Sequence, residues 1–311
     1  MKKVLVTDGV HPILLEGLAG MGFQCDYHPK ISLAQVREMI PDYDGMIINS
    51  KILVDKKMLD GAPKLQFVGR LGSGLEIIDL DYAAEKSVKI HSAPEGNRNA
   101  VAEQALGMLL ALANNFLTAD SEVRAKNWQR EKNRGFEIMG KTIGLIGFGN
   151  TGSQFAKKLS GMDMKVLAYD KYKKEYANEF PWVQATNLTT IQSQADIISL
   201  HLPYTSETYH LVNSNFLKKC KEGVIIINTS RGSVVKTDDL IDALKTQRVG
   251  GACLDVFENE KPHTFSDQEN KMYAELYDFQ NVILSPHVAG WTIESKKRLA
   301  EVLLQKIKAG M

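Results

Sequence analysis

Short runs of apolar, often β-branched residues alternate along this chain with longer segments whose apolar positions recur at helical spacing. The runs predict strands at residues 4–7, 45–49, 65–69, 142–146, 166–169, 196–200, 224–228, 252–256 and 282–284. Many of these runs are apolar throughout rather than at alternate positions, which is typical of strands covered on both faces. Strands that alternate with helices over this length predict a doubly wound α/β architecture with parallel sheets.

Two segments of similar character open α/β runs, at residues 2–6 and 141–146, so two α/β domains are expected. Between them, residues 100–113 are mostly apolar on all sides, which is typical of a buried helix, and Asn99 is a suitable N-cap. The polar and charged residues 120–140 are interpreted as a surface excursion or an oligomer contact.

The segment 292–308 predicts an amphipathic helix that begins after Thr292 as its N-cap. Its expected apolar face consists of Ile293, Leu299, Val302, Leu303 and Ile307.

Composition narrows the class of protein. The 38 basic and 37 acidic side chains give a formal net charge of +1, which offers no electrostatic footprint for nucleic acid. No apolar run reaches the roughly 18 residues that a membrane span needs, and the N-terminus lacks the features of a signal peptide. Cys25, Cys220 and Cys253 are widely spaced without a metal-binding pattern, so we expect free thiols, no metal site and a cytoplasmic location.

Residues 147–152 form a G-x-G-x-x-G motif between a predicted strand and a helical segment at 154–159. This context is that of a dinucleotide-binding fingerprint. Gly147 permits the tight turn, Gly149 lets the backbone approach the pyrophosphate, and Gly152 allows close packing of the helix on the strand. The helix N-terminus, which includes Asn150 and Thr151, then presents free N–H groups to the phosphates.

The strand after this motif ends in Asp170, which lies 18 residues after Gly152, near the expected spacing of about 20. Its carboxylate would accept hydrogen bonds from the adenosine ribose and repel a 2′-phosphate, which favours NAD over NADP. Three lysines that follow, Lys171, Lys173 and Lys174, would soften that preference.

Polar segments follow the remaining strands, and the ends of parallel strands line the ligand crevice in such folds. These segments are residues 201–203, 228–232, 255–262 and 285–291. We therefore expect Arg231, Glu260 and His287 to converge near the cofactor.

Together with the glycine motif, these segments resemble the D-isomer-specific 2-hydroxyacid dehydrogenases over nearly the whole chain. The resemblance implies a Rossmann-type NAD-binding domain, residues 99–289, inserted into a flavodoxin-like substrate domain, residues 1–98 and 290–311. It also implies a homodimer that pairs through the cofactor domain.

The resemblance assigns roles to single residues. Arg231 would bind the substrate carboxylate and keto oxygen, His287 would be the general acid and base, and Glu260 would orient and stabilise its imidazole. Asp255 would contact the nicotinamide carboxamide, and the other expected cofactor-lining residues are Leu202, Pro203 and Thr229.

The motifs that indicate substrate-binding residues are less specific than those that indicate the cofactor site. The glycine-rich residues 69–76 resemble a loop that binds the substrate carboxylate through backbone N–H groups, with Ser73 and Gly74 as candidates. Lys51 and Asn97 lie in segments that resemble the distal substrate contacts of phosphoglycerate dehydrogenases. In the charged excursion, Arg130 or Arg134 would reach the active site of a dimer partner.

The resulting expectation is an NAD-dependent oxidoreductase that transfers hydride between nicotinamide and a small D-2-hydroxy acid or 2-keto acid, with 3-phosphoglycerate as the favoured substrate. Reduction of hydroxypyruvate or glyoxylate is one alternative, and a non-catalytic NAD(H)-sensing protein that resembles transcriptional corepressors is another. Because 24 residues follow His287, we expect no amino-acid-sensing regulatory domain after it.

Overall fold

The computed structural model describes residues 1–173, 176 and 179–310, so Lys174 and Met311 lie outside the described residues. The chain divides into two compact units. The first unit comprises Met1–Asn99 and Gly290–Met311, and the second comprises Ala100–Ala289.

Each unit is built on its own parallel sheet. The first sheet has the strand order β2-β1-β3-β4-β5, and the second has the order β12-β11-β10-β9-β6-β7-β8. The prediction of two doubly wound parallel sheets is therefore confirmed. The strands of the described chain are β1 (Lys2–Val6), β2 (Phe23–Tyr27), β3 (Gly45–Ile48), β4 (Phe67–Arg70), β5 (Lys89–Ser92), β6 (Thr142–Ile146), β7 (Lys165–Tyr169), β8 (Val183–Ala185), β9 (Ile197–Leu200), β10 (Val224–Asn228), β11 (Val249–Leu254) and β12 (Val282–Leu284).

Helices connect these strands. Those of the described residues are α1 (Pro12–Gly20), α2 (Leu33–Met39), α3 (Lys56–Asp60), α4 (Leu80–Glu85), α5 (Pro94–Ala113), α6 (Phe116–Arg124), α7 (Asn150–Lys158), α8 (Leu188–Gln194), α9 (Ser214–Leu217), α10 (Thr237–Lys245), α11 (Asp267–Asp278) and α12 (Ile293–Gly310).

Both faces of each sheet are covered by apolar side chains. In β1, Val4 and Val6 belong to one buried cluster of the first unit and Leu5 belongs to the other. In β10, Ile226 and Ile227 divide in the same way between the two clusters of the second unit. This burial on both faces explains why the interior strands are apolar at every position.

The sequence pattern did not predict three strands, and all three lie at sheet edges. They are β2, β5 and β8, whose sequences are FQCDY, KIHS and VQA. An edge strand is less completely covered by its neighbours, so its composition is more polar and its hydrophobic signal is weaker. The short helix α6 in the charged excursion was missed for a related reason, since it buries no side chain fully.

Two predictions about helix ends were wrong. The N-cap predicted at Asn99 lies inside α5, which begins at Pro94, where proline's missing N–H and fixed φ suit the first helical position. Ile293, predicted on the apolar face of α12, is 88% exposed, whereas Leu303 and Ile307 of that predicted face are buried together with Ser295 and Ala300.

Thr292 does cap α12, as predicted. Its hydroxyl accepts a hydrogen bond from the backbone N–H of Ser295 at 3.0 Å, and the hydroxyl of Ser295 accepts one from Thr292 N at 2.9 Å. These reciprocal bonds satisfy N–H groups that the first turn of a helix leaves unpaired.

No single helix in the described chain is long and apolar enough to cross a membrane. Helices α5 and α6 meet such a criterion only as a pair, and they are bent by 62° at their junction.

The different environments of two apolar residues on α12 give a stability test. Leu303 is 0% exposed within the core of the first unit, so Leu303→Ala is expected to lower the free energy of unfolding by about 2–5 kcal/mol. The matched variant Ile293→Ala removes an exposed side chain and should change that free energy by less than about 0.5 kcal/mol. Denaturant titration of both variants measures this, and equal losses would contradict the assignment of the buried face.

Candidate active site

The segments that carry the predicted chemistry leave the second sheet at one edge, because all its strands run parallel. Gly147 follows β6, Asp170 follows β7, His201 follows β9, Thr229 follows β10 and Asp255 follows β11. The arrangement matches the general rule that ligands bind beyond the carboxyl ends of parallel strands.

Glycine is required at two positions of the 147–152 turn. Gly147 has a φ of +92°, and a Cβ there would overlap the carbonyl oxygen of His201. A Cβ on Gly152 would overlap the carbonyl oxygen of Gly147, so this residue permits close packing of α7 on the turn. At Gly149 a Cβ would meet nothing within 4 Å, which leaves the space beside the backbone open.

Helix α7 begins at Asn150 and Thr151 with Gly149 as its N-cap, and no side chain of the described residues caps it. Its first backbone N–H groups therefore lack the usual internal acceptor and carry the positive end of the helix dipole. An anionic group such as a pyrophosphate satisfies both features.

Asp170 faces this turn. Its carboxylate accepts hydrogen bonds from the backbone N–H groups of Phe148 at 2.7 Å and of Tyr172 and Lys173 at 2.9 Å each. Burial alone would raise the pKa of Asp170, but these N–H donors stabilise its charged form and the pKa is lowered overall. A carboxylate held ionised beside the glycine turn suits the ribose hydroxyls of a dinucleotide.

Two buried polar atoms near this edge, Thr229 Oγ1 and His201 Nδ1, have no hydrogen-bond partner in the described part of the chain. Burial lowers the pKa of His201 to about 3, so its imidazole is neutral, and its Nε2 lies 3.0 Å from the hydroxyl of Ser199. Leu202 is half-buried and Pro203 is exposed. Unpaired polar atoms, an uncapped helix and an open glycine together fit a bound dinucleotide.

Glu260 and His287 are 27 residues apart in sequence, and the fold brings them into contact. The distance from His287 Nδ1 to Glu260 Oε2 is 2.8 Å. This hydrogen bond raises the pKa of His287 above its ordinary value, and the charge of Glu260 acts in the same direction. Burial opposes ionisation of Glu260, yet the bond to His287 and the charge of Arg231 lower the pKa of Glu260 overall.

Arg231 lies close enough for its charge to lower the pKa of both Glu260 and His287. It follows β10, and its Nη1 donates to the carbonyl oxygen of Ser230 at 2.7 Å. The next residue, Gly232, packs directly against the segment that carries Glu260, because a Cβ on Gly232 would overlap the carbonyl oxygen of Phe257. The three residues expected to converge therefore occupy adjoining segments.

Asp255 anchors the loop that carries His287. Its carboxylate is 1% exposed and accepts hydrogen bonds from Ser285 Oγ at 2.5 Å and from the backbone N–H groups of Val288 and Ala289 at 2.9 Å each. Its carbonyl oxygen accepts from His287 N at 2.7 Å. These contacts hold His287 at a φ of +54°, a conformation that non-glycine residues rarely adopt.

The sequence did not reveal this anchoring. The partners of Asp255 are 30 to 34 residues away, and Ser285 is a common residue type after a strand. The predicted contact of Asp255 with nicotinamide stays a prediction.

The predicted substrate residues of the first unit follow neighbouring strands at one edge of the first sheet. Ser73 Oγ donates to Asn97 Oδ1 at 3.0 Å, and Gly74 is buried. Lys51 Nζ donates to the carbonyl oxygen of Pro29 at 2.8 Å and lies 3.8 Å from a carboxylate oxygen of Asp8. The ammonium group of Lys51 is therefore partly neutralised by its own unit.

The charged excursion of the second unit exposes both predicted arginines. Arg130 is exposed, and Arg134 Nη2 pairs with Glu131 Oε2 at 2.7 Å.

Comparison with known proteins agrees with this geometry. Residues 106–289 match the model of the "D-isomer specific 2-hydroxyacid dehydrogenase, NAD binding domain" family. A hydroxypyruvate reductase of Thermotoga maritima is 34% identical over 273 residues, which are 88% of this chain and 86% of that protein. A crystal structure of D-lactate dehydrogenase from Aquifex aeolicus, complexed with NAD and lactic acid, has a TM-score of 0.83 at 30% identity and covers 99% of this chain and 95% of that one.

A D-3-phosphoglycerate dehydrogenase of Synechocystis sp. is 34% identical over 308 residues, which are 99% of this chain. The chain spans 54% of that relative's length and 56% of the length of a second D-3-phosphoglycerate dehydrogenase, from Archaeoglobus fulgidus.

The bond between Glu260 and His287 predicts a measurable titration effect. Because it is the largest cause of the raised pKa of His287, Glu260→Gln should lower that pKa. The titration of the labelled imidazole, followed by NMR, measures it. The control variant Glu275→Gln alters a surface carboxylate that pairs with Lys245 and should leave the titration unchanged. An unaltered pKa in Glu260→Gln would contradict the assigned bond.

The open space at Gly149 predicts a loss of cofactor affinity without a loss of stability. Gly149→Ala adds a methyl group that meets no protein atom, and the φ of −80° is allowed for alanine, so thermal unfolding should be unchanged. The methyl group should hold the pyrophosphate away from the backbone and weaken NADH binding by roughly tenfold or more. Fluorescence titration with NADH checks this, and wild-type affinity would refute the assignment of this turn.

Proposed function

This chain belongs to the D-isomer-specific 2-hydroxyacid dehydrogenase family, and we propose that it interconverts small D-2-hydroxy acids and their 2-keto acids with NAD as the cofactor. The single observation that carries this proposal is the hydrogen bond between Glu260 and His287, which lies close enough to Arg231 for its charge to lower the pKa of both residues. It lies in the same unit as the NAD-binding fingerprint.

Each residue of the candidate site has a role that follows from its chemistry. When bound, the nicotinamide supplies or accepts the hydride. His287 uses Nδ1 to bond Glu260, which leaves Nε2 to exchange a proton with the substrate oxygen. The planar guanidinium of Arg231 suits two oxygens of a 2-keto or 2-hydroxy acid, the carboxylate and the adjacent oxygen. Glu260 stabilises the imidazolium and fixes the ring.

The raised pKa of His287 determines how the proposed activity depends on pH. Keto-acid reduction needs the protonated imidazole, so its rate should be high below the pKa of His287 and fall as the pH rises through it. Oxidation of the hydroxy acid needs the neutral imidazole, so its rate should rise over the same range.

We propose two alternative substrates. Oxidation of 3-phosphoglycerate is supported by the likeness to two D-3-phosphoglycerate dehydrogenases over nearly the whole chain. Reduction of hydroxypyruvate or glyoxylate is supported by the setting of Lys51, whose ammonium is engaged by Pro29 and lies near Asp8. A phosphate dianion needs cations that are available to pair with it, so this second observation favours an uncharged distal group. We also propose that Ser73, Gly74 and Asn97 contact the substrate.

We further propose a homodimer that pairs through the second unit. Several large apolar side chains are exposed between residues 116 and 139, and a cluster of that kind on one segment is typical of an interaction surface. They are Phe116, Leu117, Val123, Trp128, Phe136 and Met139. Contribution of Arg130 or Arg134 to a partner's site belongs to the same proposal.

The activity is tested by following NADH absorbance with a panel of D- and L-2-hydroxy acids and 2-keto acids. Turnover of D acids is expected, and His287→Gln should lower kcat by roughly 100-fold or more while NADH still binds. Comparison of 3-phosphohydroxypyruvate with hydroxypyruvate and glyoxylate by kcat/KM separates the substrate proposals. Tight NADH binding with no turnover of any acid would contradict the enzyme and favour the NAD(H)-sensing protein.

A further inference from the structure

A second histidine–carboxylate pair lies next to the first. We propose that Glu258 and His210 form a positioning pair that holds the segment carrying Glu260 against the segment carrying Arg231. This inference rests on the proposed function, because it concerns the geometry of the residues that move the proton and bind the substrate.

Glu258 uses both oxygens of its carboxylate. Oε1 accepts the backbone N–H of Thr237 at 2.7 Å, and Oε2 lies 2.6 Å from His210 Nε2. The side chains of Glu258 and His210 are 26% and 23% exposed, so the pair is more shielded than the pair of Glu260 and His287, at 38% and 50%. Short, shielded bonds of this kind fix a loop better than surface ion pairs do.

The first partner ties Glu258 to the segment after Arg231. Thr237 is the first residue of α10, and the N–H groups at a helix N-terminus favour a carboxylate. Arg231 lies six residues earlier, and Gly232 packs against the backbone of Phe257 and Glu258. The bond to Thr237 therefore closes a contact that begins at Gly232.

The second partner is itself fixed. His210 donates its backbone N–H to Ser233 O at 2.8 Å, and its carbonyl oxygen accepts from Asn213 Nδ2 at 2.9 Å. The ring of Tyr209 stacks on the imidazole at 3.9 Å between centroids. His210 holds a φ of +51°, so several contacts together maintain a conformation that is rare for its residue type.

The bonds of Glu258 also restrain Glu260, which lies two positions later in the same segment. Glu260 Oε1 accepts from Phe257 N at 3.3 Å while Oε2 bonds His287, and Asn259 N donates to Tyr273 Oη at 2.9 Å. The segment is thus held by α11 on one side, through Tyr273, and by α10 and His210 on the other, through Glu258. Loss of Glu258 would free the second side and loosen the bond from Glu260 to His287.

The described contacts of Glu258 and His210 do not include His287, so their effect on it is indirect. The charged groups that act on His287 are Glu260, Asp255 and Arg231. Lys236 faces Glu258 as a further charge.

The test compares Glu258→Ala, which removes both bonds, with Glu258→Gln. The glutamine keeps an oxygen that accepts from Thr237 N, and its amide N–H can donate to His210 Nε2 when the neutral imidazole carries its proton on Nδ1. We expect Glu258→Ala to lower kcat for keto-acid reduction by roughly tenfold, because a small misplacement of a catalytic group has effects of that order, while the Kd for NADH changes less than about twofold. The pH at which this rate falls should shift downward. Glu258→Gln should retain most of kcat, and Glu275→Gln should match the wild type.

A readout without turnover separates this inference from the proposed function. Glu258→Ala should lower the pKa of the His287 imidazole in an NMR titration whether or not any acid is turned over. If Glu258→Ala does not fold, His210→Ala serves with the same readouts. Wild-type kcat, pH profile and imidazole titration in a folded variant would overturn the positioning pair and leave the proposed activity intact. Absence of turnover in the wild type, with the imidazole shift present, would overturn the activity alone.

Discussion

The hydrogen bond between His287 and Glu260, which forms close to the positive charge of Arg231, is the interaction on which the rest of the candidate active site depends. It exists because parallel strands deliver their carboxyl ends to one edge, so β10, β11 and β12 bring three distant segments together. Its consequence is chemical, since it raises the pKa of an imidazole that is half exposed. The Rossmann-type sheet supplies the cofactor turn at that same edge.

Holding this bond in place requires a set of contacts within the protein around it. Asp255 fixes the loop of His287 in a rare backbone conformation, and Gly232 lets the segment of Arg231 touch the segment of Glu260. Glu258 lies at that contact. Strained or closely packed residues beside a functional group persist only when their surroundings over-determine them, and these contacts supply that restraint.

The sequence predicted what local patterns encode. Strands β6 and β10 lie inside the second sheet and were predicted at their observed bounds because they are covered on both faces; the edge strand β12 was predicted at its bounds because its three residues are all apolar. The glycine turn was recognisable by its spacing. The edge strands β2, β5 and β8 were missed because partial exposure makes them polar. The predicted start of α5 was wrong because Asn99 is a residue type typical of an N-cap, whereas the helix begins at Pro94, five residues earlier. Which residues support the site depends on contacts tens of residues apart, such as Asp255 with Ala289 and Glu258 with His210, and one sequence carries no signal for these.

The central claim is that Glu260 acts through His287, and a double-mutant cycle on the rate of keto-acid reduction tests it most directly. Glu260→Gln, His287→Asn and the double variant are compared with the wild type by kcat/KM. If Glu260 serves only to orient and charge the imidazole, the double variant should be no slower than His287→Asn, because the carboxylate has nothing left to act on. Losses that multiply independently would contradict the claim and show that Glu260 contributes without His287.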